Sequence, residues 1–163
     1  MAQDVQILEI IKVLKRYRTK FVIVGGVCAV LHGAPVTTFD LDLVYSRKPE
    51  NLGHIEAALT EMDAYYRGHP RILKPDAECL SSPGHHLLMT RLGPLDLLGT
   101  IGKNEGYDDL IPFSEEIETE EITLRILSLE HLIRLKEDML REKDRLILPI
   151  LRNTLKEKQR YRK

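Results

Sequence analysis

The chain has 163 residues, 43% of them apolar, which suits one domain with a real core. With 24 Lys+Arg against 25 Asp+Glu it is nearly neutral, so a globally basic nucleic-acid binder is excluded and only a local patch stays open. Two cysteines, Cys28 and Cys79, have no metal-ligand spacing, which argues against a disulfide framework or a zinc knuckle. No signal peptide and no apolar run long enough to cross a bilayer is visible, so a cytoplasmic soluble protein with no membrane partner is expected.

The first element reads as a helix. Asp4 is a candidate N-cap, and Val5, Leu8, Ile11 and Leu14 recur at helical intervals to about Tyr17. Ile7, Ile10 and Val13 widen the stripe, while Lys12, Lys15, Arg16 and Arg18 form a solvated face. Phe21 to Val24 (FVIV) is a buried strand by its β-branched content. Gly25-Gly26 follows at once, where the backbone can turn sharply and another group can approach it closely. Val27 to His32 has helical spacing, Cys28 falls on its core face, and Gly33 stands where a helix stops. Pro35 and the Thr37-Thr38 pair mark a loop. Phe39 to Val44 then alternates with period two, which puts Asp40 and Asp42 on one face and Leu41 and Leu43 on the other.

Pro49 opens a helix that Ile55, Leu59 and Met62 carry to about Ala64. From 65 to 84, prolines at 70, 75 and 83 predict a loop with one short helical turn near Asp76 to Leu80. Arg67, His69, Arg71 and Lys74 make that loop basic; a flap facing phosphates and plain surface are both open readings. His85 to Thr90 and Pro94 to Leu98 read as strands joined at Gly93. His85 and His86 are candidate metal ligands by residue type, but the alternation favours ordinary strand residues facing opposite sides. Asp96 is a lone carboxylate in an apolar strand, where an unpaired charge is costly. Tyr107 to Phe113 suggests a short helix, and 117–126 one strand or a hairpin. Ser128 caps a helix whose apolar face is Leu129, Leu132, Ile133, Leu135 and Leu140. Asp144 opens a last helix, with Pro149 as a possible kink, and the basic tail 156–163 is expected to fray.

Two adjacent carboxylates on a strand repel unless a cation or a proton relieves them. Mg²⁺ takes oxygen ligands and binds through a few carboxylates plus substrate phosphates. Asp-x-Asp alone is common and reads as a solvated edge. Joined to a glycine turn at this spacing, it points to a place where a metal-bound triphosphate lies against the turn.

This stretch resembles the nucleotidyltransferase superfamily that includes DNA polymerase β: an apolar strand, Gly-Gly or Gly-Ser, a spacer, then Asp-apolar-Asp. The likeness is strongest to small bacterial nucleotidyltransferases, including those related to abortive-infection toxins, through Gly25-Gly26, Ala29 and His32-Gly33-Ala34-Pro35. The family's serine after the first glycine is Gly26 here, and Val36 stands where many small relatives have arginine. Further likeness lies in Leu95-Asp96-Leu97-Leu98 before Gly99, in 128–136 and in 141–144.

The resemblance implies a small α/β (α+β) fold: a short mixed sheet with flanking helices, ending in two helices. It implies a single domain, 1–163, with a core of about 1–127 and a helical part of about 128–163. It further implies transfer of a nucleoside monophosphate from an NTP. Asp40, Asp42 and Asp96 would be catalytic and hold Mg²⁺ or Mn²⁺, and Gly25, Gly26, Thr38 and Lys136 would meet the nucleotide phosphates. Asp144 matches the turn aspartate and caps the last helix. The acceptor stays open between RNA, protein and small molecule. The toxin-like chains carry an added helical domain that is not seen here, which leaves room for a protein partner or a homo-oligomer. The competing class is a nucleotidyltransferase fold without activity that binds nucleotide or protein.

Overall fold

The computed structural model describes residues 2–139 and 141–161. The expectations placed on the Asp4 and Val5 side chains and on Leu140 fall outside the described groups. Seven strands form one mixed sheet in the order β3-β4-β5-β2-β1-β7-β6. Helix α1 (Ala2–Arg16) leads into β1 (Phe21–Val24), α2 (Gly25–Leu31), β2 (Leu41–Tyr45) and α3 (Pro49–Glu61). The short β3 (Tyr65–Tyr66) and α4 (Ala77–Leu80) precede the hairpin of β4 (His85–Thr90) and β5 (Gly93–Leu98). Then come α5 (Tyr107–Leu110), a 3₁₀ turn (Ile111–Phe113), β6 (Ser114–Glu118), β7 (Thr123–Leu127), α6 (Leu129–Met139) and α7 (Glu142–Tyr161).

The sheet is larger than the short one expected, because 65–84 supplies an edge strand and 114–127 forms a full hairpin. β2 lies at its centre, antiparallel to β1 and parallel to β5. One face of the sheet is closed. Leu41, Leu43, Tyr45, His86, Leu88, Leu95 and Leu97 are all buried. Tyr45 reaches the end of α4 by donating to the Leu80 carbonyl at 2.6 Å, and α4 packs on α3. Buried Asn51 of α3 ties the other end: it accepts from Lys20 N–H at 2.7 Å and donates to the carbonyls of Ser46 at 2.7 Å and Lys20 at 3.1 Å. Such a side chain supplies partners that loop backbone would otherwise lack.

The other face is half open. Over β4 it shows His85, exposed, and Leu87, 46% exposed. Helix α6 faces it across a cleft. Ser128 starts that helix by accepting from the N–H of His131, as the sequence predicts. His131 itself stacks on Phe113, with centroids 4.6 Å apart, and lies 3.0 Å from Glu105. Helix α7 starts two residues before Asp144 and runs through Pro149. The expected fraying of the tail is not seen as far as Tyr161, and residues 162–163 are outside the described ones. What holds it is a long-range tie: Lys158 Nζ donates to His32 Nδ1 at 2.6 Å, while His32 Nε2 meets the Leu127 carbonyl at 2.7 Å. Cys28 is a core residue, with its thiol against the same carbonyl and burial pushing its pKa up to about 12.

Candidate active site

The site is built where β1 stops. Its last residue, Val24, pairs with Asp42. Gly25 then turns the chain at φ +67°, a left-handed value that favours glycine. A Cβ there would collide with the Asp42 carboxylate at Oδ2, with Cγ only 3.1 Å away. Gly25 is therefore required twice, by its backbone angle and by the close approach of Asp42.

On the other side of β2, Asp42 pairs in register with Asp96 of β5. In a parallel pair such partners share a face, so the two carboxylates stand side by side on the half-open face. Asp96 is buried. The Asp42 carboxyl is pushed up to about 7. Burial is the main cause; a hydrogen bond to Asp96 and the charges of Asp96 and Asp40 add to it, and Lys136 pulls the other way.

Asp40 stands apart. The alternating pattern predicts a strand from Phe39, yet the ladder begins at Leu41. Beyond Asp42, β1 has already turned into α2 and offers no partner. Asp40 is exposed at the strand entrance, and Phe39 is 59% exposed. Among the described residues no group of three His, Cys, Asp or Glu side chains converges.

A cleft of about 150 Å³ runs between this sheet face and α6, lined by Gly25, Asp42, His85, Leu98, Leu135 and Lys136, among others. Lys136 is held there by Asp144, 3.1 Å away and fully buried. This contact is an ion pair rather than an aligned hydrogen bond, because Asp144 Oδ1 has no donor at good geometry. Burial acts to raise the Asp144 carboxyl, but Arg141 and Lys136 outweigh it and hold it below the usual range. Asp144 also accepts from the backbone N–H of Arg141 at 3.3 Å, so it caps α7 from inside its first turn.

Thr38 and Gly26 lie beside this cleft and do not line it. A Cβ on Gly26 would stand 2.6 Å from Thr38 Oγ1. The loop hydroxyl thus fills the space that a serine at position 26 would use, and it donates to the Asp40 carbonyl at 3.2 Å. The first turn of α2 has no side-chain cap, so its N–H groups stay available.

One residue that sequence reasoning left undecided belongs here. Arg67 follows β3 and places Nη2 2.6 Å from Asp96 Oδ1. The basic run 67–74 was the signal available; which of its members reaches the acids depends on the β3–β4 pairing.

These features define the α/β fold seen in nucleotidyltransferases: a mixed sheet, a glycine turn and acids on neighbouring central strands. Among solved structures the chain is similar to that of a putative nucleotidyltransferase from Thermotoga maritima, with a TM-score of 0.56 and 21% identity, over 91% of this chain and 89% of that one. That likeness is one of fold. No family model matches the sequence, and no curated protein matches it. Among the described residues no helix is long and apolar enough to cross a membrane.

Proposed function

We propose that this chain is a metal-dependent nucleotidyltransferase that moves a nucleoside monophosphate from an NTP to an acceptor. The observation that carries the reading is the in-register pair Asp42 and Asp96, of which Asp42 lines a cleft that also presents Lys136. The donor set fits Mg²⁺ or Mn²⁺, since Mg²⁺ is bound by one or two carboxylates completed by substrate phosphates. A divalent cation bound at this pair supplies polarisation of the α-phosphate and offsets the charge of the leaving pyrophosphate.

The chain's own groups do the rest. Gly25 lets the Asp42 carboxylate stand against the turn, and the uncapped N–H groups of α2 face the nucleotide phosphates, with the Thr38 hydroxyl standing in for a serine at Gly26. Lys136, oriented by Asp144, places positive charge opposite Asp42. Asp40, exposed at the strand entrance, adds its negative charge to the field at Asp42. Asp96 lies toward the open face over β4. With a hydroxyl acceptor, it would orient that hydroxyl and take its proton as the oxygen attacks the α-phosphorus and pyrophosphate leaves.

The acceptor is an RNA end, a protein side chain or a small hydroxylated molecule, and a toxin-like role would follow from the first two. A second reading is a module that binds nucleotide or protein without catalysis. The observation that favours it is the exposure of Asp40 before the strand begins, outside the in-register pair of acids.

The test is pyrophosphate release and label transfer from each α-labelled NTP, with Mg²⁺ or Mn²⁺, to the protein itself, to total RNA and to a small-molecule extract. One NTP is expected to give metal-dependent transfer that Lys136→Gln lowers by about tenfold or more, the scale of one lost charge-stabilising contact. Absence of pyrophosphate release with all four NTPs would leave the binding-module reading.

A further inference from the structure

Arg67 is fixed at three points. Its backbone N–H donates to the Leu87 carbonyl at 3.0 Å, which extends β3 along β4. Its Nη1 donates to the Leu88 carbonyl at 3.2 Å, and its Nη2 to Asp96 Oδ1 at 2.6 Å. The Arg67 side chain is 26% exposed and that of Asp96 13%, so the pair sits at the edge of the open face with one side toward solvent.

As a structural tie this contact gives little net gain, because desolvating a mostly buried ion pair offsets much of its Coulomb attraction. It matters through its partner. Asp96 is one of two carboxylates held in register, and their mutual repulsion calls for a counter-cation. Lys136 cannot serve Asp96, since it is tethered to Asp144 on the other wall of the cleft. Arg67 fills that place, and a guanidinium does not lose its proton, so it competes with any other cation at every working pH.

We propose that Arg67 is a displaceable counter-cation of the acid pair: it holds Asp96 in position before substrate enters and gives up that carboxylate when a divalent cation is bound there. The inference rests on reading Asp42 and Asp96 as the metal-binding pair. Arg67 is then a positioning residue that sets metal affinity. Once released, its fork of donors is free beside the open face, where it matches a phosphate oxygen of the nucleotide or acceptor.

The experiment is a Mn²⁺ titration of the full chain, followed by the electron paramagnetic resonance of free Mn²⁺, without nucleotide or acceptor. Arg67→Gln is expected to tighten Mn²⁺ binding about tenfold. Arg67→Lys, which keeps the charge, stays near wild type. Arg71→Gln removes a charge from the same segment but not the contact, and it changes the affinity less than about twofold. Asp96→Asn cancels the gain made by Arg67→Gln.

Wild-type binding that Arg67→Gln leaves equal or weaker overturns the proposal and leaves the metal reading intact, as does an equal gain from Arg71→Gln. Absence of Mn²⁺ binding in wild type and Arg67→Gln alike overturns both. A second readout follows the wild-type chain itself. In the nitrogen-15 spectrum of wild-type arginine side chains, one guanidinium signal is expected to shift as Mg²⁺ is added, with Arg67→Lys supplying its assignment. An Arg67 signal unmoved at saturating Mg²⁺ contradicts displacement.

Discussion

Asp42→Asn raises the melting temperature at pH 8 and raises it much less at pH 5. The Asp42 carboxyl titrates near 7 in the folded chain, against an ordinary value of 3.8. Between those two values the folded state holds a proton that the unfolded state has released. Stability therefore falls as pH rises through that window, and above pH 7 the folded chain carries the full cost of an ionised Asp42 beside Asp96. Asparagine has nearly the same shape and never takes that charge, so its advantage grows from about pH 4 and levels off above pH 7. At 1.36 kcal/mol per pKa unit the plateau is about 2–4 kcal/mol. For a chain of this size that is on the order of 5–10 °C. The same substitution removes nucleotidyl transfer. A variant whose melting temperature falls at pH 8, or rises equally at both pH values, would contradict the electrostatic account of the pair.

Gly25→Ala is expected to damage the fold and the site together with a single methyl group. It forces an L-residue into φ +67°, at a cost of about 1–2 kcal/mol, and drives Cβ into the Asp42 carboxylate. Asp42 must swing away from Asp96, so the response to Mg²⁺ goes although every acid is still present. We expect a loss of about 2–3 kcal/mol in stability together with loss of metal-dependent stabilisation. Gly33→Ala separates the two effects. Gly33 has φ +98°, but its Cβ would meet nothing within 4 Å. It therefore pays in strain alone and keeps its metal response. A Gly25→Ala protein with wild-type melting behaviour and wild-type Mg²⁺ response would sink this description of the turn.

The sequence was most informative where side chains report their own surroundings. An apolar β-branched run, two glycines and an alternating Asp-Leu-Asp fix a strand, a turn and a second strand locally. Ser128 before an amphipathic run gives its cap away in the same manner. Asp96 could be singled out because a charge inside Leu-Asp-Leu-Leu must answer to something nearby.

What stayed hidden depends on partners distant in sequence. The alternation at Phe39 and Asp40 looks like strand, but a strand needs a neighbour, and β1 ends at Val24 because Gly25 turns away. The pairing of Arg67 with Asp96 spans 29 residues and follows from the β3–β4 register. The last helix persists to Tyr161 with Lys158 docked on His32, 126 residues earlier. No local composition distinguishes that lysine from its solvated neighbours.

The most direct test of the central claim is thermal stability with each NTP, with and without Mg²⁺ or Mn²⁺, for wild type and Asp42→Asn. A ligand bound only by the folded chain adds about 2.7 kcal/mol at a hundredfold excess over its Kd. The account predicts an upward shift of several degrees for one NTP, present only with the divalent ion and absent in Asp42→Asn. No shift with any NTP, or an equal shift in both proteins, would contradict it.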